Sequence, residues 1–201
     1  MLAGFWNRAI FTPDWVGRVL FDGQRDIDTL ISIMPHMPII DRNRHVALEV
    51  AGSRLAFRPR RLDEESLTAA ETMAHTVLGT LQDTTLMGVG VNFGFVEEQP
   101  HRDLVALFES ADSGDLEGDN WAIEERSLVR RIGKDGDTLI LTLTLGGGKL
   151  DVELNFHTET TENATAQAAV DHRVIRLRDA AVRLLDRTYN LQVDWEERGD
   201  G

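Results

Sequence analysis

The chain of 201 residues contains no cysteine. That excludes disulfides, thiol nucleophiles, iron–sulfur clusters and thiolate zinc sites, and it suits a reducing compartment. Lysine is almost missing as well, since 19 of the 21 basic residues are arginine. Arginine makes planar, bidentate pairs with carboxylates, so ion pairs within the chain or at an interface are expected. No apolar run approaches the ~18–20 residues that a spanning helix needs. The opening MLAGFWNRAIF has neither a basic leader nor an extended apolar stretch. The expectation is a cytoplasmic protein with no membrane segment.

Signatures of chemistry are missing too. Gly88-x-Gly90-x-x-Phe93 departs from a dinucleotide fingerprint, because its third glycine falls one place late, at Gly94. The Gly146–Gly148 run has no following Lys-Ser/Thr, so it reads as a turn and not a phosphate loop. His157-x-Glu159 and the group Glu97, Glu98, His101 and Asp103 lack the spacing of a metal motif. No serine stands in a glycine-flanked elbow. No catalytic residue, metal ligand or cofactor is therefore assigned.

Charge is plentiful and uneven. The formal net charge is −13; residues 1–85 contribute −2 and residues 86–201 contribute −11. An acidic surface repels phosphate backbones and anionic lipid, so nucleic acid is a disfavoured partner and a membrane surface is another. Arg58-Pro59-Arg60-Arg61 is the one dense positive cluster, and Asp63-Glu64-Glu65 follows it at once. Local neutralisation is its simplest reading.

Hydrophobic patterning gives an α+β reading in which one order of elements occurs twice. The first pass opens with the apolar segment 2–11. Thr12-Pro13-Asp14 then supplies a hydroxyl cap, a first-turn proline and an acid near the positive helix end. A strand is expected over 27–34, broken by Pro35 and Pro38, and a hairpin over 45–50 and 54–58. Asp63 caps a long helix whose Leu67, Ala70, Ala74, Val77, Leu78 and Leu81 form one stripe.

The second pass begins with LMGVGVNFGF over 86–95, where Met87, Val89, Val91, Phe93 and Phe95 alternate with Gly88, Gly90, Asn92 and Gly94. Pro100 leads a short helix in the manner of Pro13, with Leu107 and Phe108 standing where Leu20 and Phe21 stand in the first pass. A polar, acidic loop over 110–120 precedes a three-strand meander over 121–156 and a single long helix over 163–189. Val170, Val174, Leu177, Ala181 and Leu184 form its stripe.

These patterns give one domain, 1–190, of two pseudo-repeats, 1–85 and 86–190, with a frayed acidic tail at 191–201. The expected fold is a twisted antiparallel sheet from two tandem β-α-β-β-β-α units with two long helices packed on one face. That order of elements resembles the TATA-binding protein, in which a duplicated unit forms a curved sheet under helices. No nucleic-acid-binding residue carries over from the resemblance, and the acidity of this chain opposes that use.

The candidate binding surface is the sheet's open face. Its centre is the strip Gly88, Gly90, Asn92 and Gly94, because glycines on one side of a strand admit a close neighbour. Trp6 and Trp195, near the two ends, are the candidate anchors of a subunit contact. The leading function is a non-enzymatic protein-binding or assembly subunit, through a protein partner or self-association. A small-molecule-binding protein or enzyme, with a pocket between sheet and helices and His75 or His101 as acid/base, is the alternative. Nucleic-acid binding through the open face is the third.

Overall fold

The computed structural model describes residues 1–23, 27–30, 38–110, 112–118, 121–134 and 137–193. The expected strand over 27–34 and the tail at 191–201 therefore lie partly outside the described residues, and Trp195 lies wholly outside them. Among the described residues the chain is α+β, with nine strands in one open antiparallel sheet and six α-helices. The strand order is β2-β3-β4-β5-β1-β6-β9-β8-β7. The chain divides into two compact units, one of Met1–Val91 with His157–Asp179 and the other of Asn92–Phe156 with residues 180–193.

In the first unit β1 (Leu2–Gly4) is only three residues long, because the apolar opening turns into a 3-10 turn at Arg8–Ile10. β1 nevertheless lies between β5 (Arg54–Pro59) and β6 (Leu86–Glu97), with Leu2 opposite both Leu55 and Val89. α1 (Pro13–Val19) starts as its sequence demands, with Pro13 in the first turn and the Thr12 hydroxyl accepting from the Trp15 N–H at 3.2 Å. β2 (Asp28–Leu30) pairs with β3 (Ile39–Arg42), a strand that the hydrophobic patterning does not announce. β4 (Val46–Val50) and β5 form the expected hairpin. The core here combines Leu2, Trp6, Phe11, Val16 and Phe21 with Leu48 and Leu55 of the sheet and the inner faces of the helices.

α2 (Glu64–Thr80) buries Leu67, Ala70, Ala74, Val77 and Leu78, and the Asp63 carboxylate accepts from the Ser66 N–H at 2.7 Å. The expected single helix over 163–189 is instead two, α5 (Asn163–Val170) and α6 (Val174–Tyr189). The break has a local and a long-range cause. Asp171 leaves helical geometry at ψ 118°, and His172 takes a left-handed φ of 47°. Glu71 of α2 then accepts from the backbone N–H of Arg173 and, at 3.0 Å, of Val174, so a carboxylate from another helix caps α6.

In the second unit β7 (Glu125–Lys134), β8 (Asp137–Gly146) and β9 (Lys149–Glu159) follow the expected meander. β8 and β9 bury Leu141, Leu143, Leu150, Val152 and Leu154. Gly147 and Gly148 connect them with φ of 59° and 81°, the paired positive values of a two-residue hairpin turn that glycine alone adopts without strain. α3 (Arg102–Val105) is capped by His101, which places Pro100 one residue before the cap and not inside the first turn. Leu107 is 44% exposed, whereas Leu20 is buried, so that pair does not correspond. The acidic loop contains a short helix, α4 (Ser113–Gly118).

Candidate functional site

The glycine strip is interrupted along its length. At Gly88 an added Cβ would stand 2.7 Å from His157 Cε1 and 2.9 Å from the Thr158 carbonyl oxygen, so the imidazole of β9 fills the space the glycine leaves. Gly90 exchanges backbone hydrogen bonds with Met1, its N–H donating to Met1 O at 2.9 Å and its carbonyl accepting from Met1 N at 2.8 Å. Farther along β6, Asn92 and Gly94 are exposed, and nothing stands within 4 Å of a Cβ built at Gly94. The alternation itself breaks at Met87, which is 57% exposed in place of its expected inward position. Ala3 faces Gly88 but Gly4 faces Leu86, so Met87 is the extra residue of a bulge and Leu86 and Val89 both turn inward.

Trp6 is a core residue in place of the surface position expected of it. Its indole N–H donates to Leu2 O at 3.3 Å and its ring meets Phe11 edge-on at 6.4 Å. His75 is exposed on α2 and lines neither of the cavities described below. His101 is occupied at both nitrogens: Nδ1 accepts from the Leu104 N–H at 3.3 Å, and Nε2 lies 3.0 Å from Tyr189 O. One neutral tautomer satisfies both contacts, tying α3 to the end of α6. In that arrangement neither nitrogen faces a substrate. Among the described residues no group of three His, Asp or Glu side chains could hold a metal ion.

Two surfaces carry more definite geometry. The first is β7, the last strand of the sheet among the described residues, whose ten residues pair with β8. Val129 is 61% and Ile132 41% exposed. The strand holds Arg126, Arg130, Arg131 and Lys134 against the single acid Glu125. Arg130 is anchored, donating to the Tyr189 hydroxyl at 2.7 Å with its guanidinium 5.9 Å from that ring's centroid. Arg131 is exposed.

The second is a basic groove in the first unit. The Arg58–Arg61 cluster divides: Arg58 turns to the outer side of the sheet, where it and Arg54 hold the buried Glu49 carboxylate at 2.8–3.0 Å. Burial raises the pKa of Glu49, but the hydrogen bonds and charges of the two arginines outweigh it and keep the group below the ordinary carboxylate value. Arg60 and Arg61 instead line a cavity of about 320 Å³ together with Arg44, His45, Asp63 and Glu65. A neighbouring cavity of about 550 Å³ shares Arg44, His45 and Glu65 and runs beside α2 past Thr68, Ala69, Thr72, Met73 and Thr76 to Leu20 and Phe21.

The turn that carries Arg44 is firmly built. Asn43 Oδ1 accepts from the N–H groups of His45 at 2.9 Å and Val46 at 2.7 Å, and the Arg60 N–H donates to His45 O at 2.7 Å. Arg60 and Arg61 stand out in the sequence, but Arg44 and His45 do not, and it is the β3–β4 hairpin that brings them beside the other two. The run Arg42-Asn43-Arg44-His45 is the available signal, an asparagine-centred turn with basic flanks.

No protein-family model, no curated protein and no solved structure matches this chain. Among the described residues no helix is long and apolar enough to cross a membrane.

Proposed function

We propose that the protein is a non-enzymatic binding subunit that receives an extended acidic segment of a partner protein as an additional strand along β7. The observation that carries this reading is that β7, ten residues long, is the last strand of the sheet among the described residues, with Val129 and Ile132 exposed on it. Unpaired strand edges template further pairing, and main-chain hydrogen bonds supply affinity while alternate side chains select the sequence. Charge selects the occupant. β7 has four basic residues and one acid in a chain of net charge −13. Self-pairing of β7 would bring two such basic strands together, whereas an acidic segment meets complementary charge. A cytoplasmic setting accompanies this reading, on the grounds of the missing cysteines.

The reading extends to internal duplication. The sheet order contains β3-β4-β5-β1 followed by β6-β9-β8-β7. Exchanging β1 with β6, β5 with β9, β4 with β8 and β3 with β7 returns the same series reversed, as two copies of one unit joined at their first strands would give. The resemblance to the TATA-binding protein rests on this order of elements, and on nothing in the residues.

Hydrogen exchange of the full chain tests the proposed strand addition. A ten-residue peptide of alternating Glu and Val should slow exchange of the β7 amides, and its Lys-Val counterpart should not. Val129→Glu, at an exposed position, should abolish that protection while leaving the circular dichroism unchanged. Absence of protection by the acidic peptide, or equal protection by both peptides, would refute the proposal.

A further inference from the structure

The side chains of β7 also define a pattern for the segment it receives, an inference that rests on the strand addition proposed above. We infer that the added strand runs antiparallel to β7 and reads apolar–acid–any–apolar–apolar, with Arg131 as the residue that selects its acid. The β7–β8 register divides β7 between two faces of the sheet. Leu128, Arg130 and Ile132 stand opposite Leu143, Leu141 and Leu139; Leu141 and Leu143 are buried, so this is the helix side. Ser127, Val129 and Arg131 stand opposite Thr144, Thr142 and Ile140 on the other side.

The position of the acid follows by comparing the four basic residues. Arg126 is half-buried and already has a partner. Arg130 is held by the Tyr189 hydroxyl and ring. Lys134 stands opposite Asp137 at the turn into β8. Arg131 differs from all three. It is exposed, its cross-strand neighbour is Ile140, and among the described residues it holds no ion pair. A carboxylate directly across from it on an added strand supplies the missing opposite charge.

The apolar positions follow from exposure. Val129, 61% exposed beside Arg131, and Ile132, 41% exposed on the helix side, each gain cover from an apolar side chain across from them. The half-buried Leu128 takes a third. Arg130 is already engaged, so the residue across from it is unrestricted. Antiparallel pairing is the more stable kind, and it sets the order of the pattern from the partner of Ile132 to the partner of Leu128.

Hydrogen exchange of the full chain tests this with three ten-residue peptides in a threonine host. The matched peptide contains Val-Glu-Thr-Val-Val, the second moves the acid to give Val-Thr-Glu-Val-Val, and the third is Val-Lys-Thr-Val-Val. The matched peptide should protect the β7 amides with half-saturation at about two- to fivefold lower concentration than either of the others. Arg131→Glu should reverse the preference for Glu over Lys. Arg18→Glu, the same change of charge at an exposed position of α1, should not. Absence of protection by every peptide would remove strand addition itself and this inference with it. Equal protection by the three peptides, a preference for Glu that survives Arg131→Glu, or an equal reversal in Arg18→Glu would overturn the pattern and leave strand addition standing.

Discussion

Glu71→Ala is the most direct perturbation of how the helices are joined. Glu71 is 8% exposed, and its carboxylate accepts from two backbone N–H groups at the start of α6. Removing it orphans both donors. A hydrogen bond to a charged group contributes about 1.5–3 kcal/mol, and loss of a helix cap costs about 0.5–2 kcal/mol. Arg173 and Val174 are half-buried, so water replaces part of what is lost and the lower range applies. The expected cost is about 2–3 kcal/mol, or a fall in Tm of roughly 4–12 °C for a chain of this length. Glu71→Gln retains a carbonyl acceptor and should lose only about 1 kcal/mol. Glu71→Met retains the volume without the acceptor, so it should resemble the alanine variant. Urea and thermal denaturation measure all three, and hydrogen exchange at Arg173 and Val174 localises the effect. If Gln and Met variants are equally stable, the carboxylate is a packing residue and the capping account is wrong.

Two further outcomes follow from the same geometry. Gly88→Ala should destabilise by about 1–3 kcal/mol, because the new methyl meets the Thr158 carbonyl as well as the His157 ring; full rescue by His157→Ala in the double variant would show that the backbone contact is immaterial. Asp41 is fully buried, with Oδ1 accepting from the Thr29 hydroxyl at 2.7 Å and Oδ2 without a partner. Burial raises its pKa above the ordinary 3.8, and the Thr29 hydrogen bond only partly opposes this. Folding therefore takes up a proton between 3.8 and the raised value. The charge penalty is present at neutral pH and relieved as pH falls through the folded value. Asp41→Asn should stabilise the protein by ~1 kcal/mol at pH 7 and reduce that gain toward pH 4; a destabilised variant at pH 7 would contradict the assignment.

The parts of the fold visible in sequence are those decided by local chemistry. Thr12-Pro13, Asp63 and the α2 stripe each describe their own helix end or face, and Leu150, Val152 and Leu154 declare an inward strand face. The features that local patterning hides depend on distant partners. Nothing near Asp171 marks the break between α5 and α6 as strongly as Glu71, a hundred residues earlier, whose role exists only once the helices meet. Met87 reads as inward until the register with β1 inserts a bulge. Arg44 and Arg61 belong to one cavity only after β3, β4 and β5 have paired. Trp6 suggests an anchor by its position in the chain, but its indole N–H has Leu2 O within reach and its ring has Phe11.

The three-residue β1 has a consequence for the order in which the sheet is assembled. Both of its partners follow it in the chain, Leu55 after two hairpins and Val89 after the whole of α2. The β7–β8 hairpin closes over a few residues, whereas β1 must wait for strands made much later, and loop-closing entropy delays such pairing. During synthesis the apolar Leu2 stays without its sheet neighbours until β5 emerges, and its second ladder forms only after β6 does. The middle of the sheet is thus bridged late by a three-residue strand, and changes at Leu2 should act more on the unfolding rate, and less on the folding rate, than equal loss of apolar surface in β8.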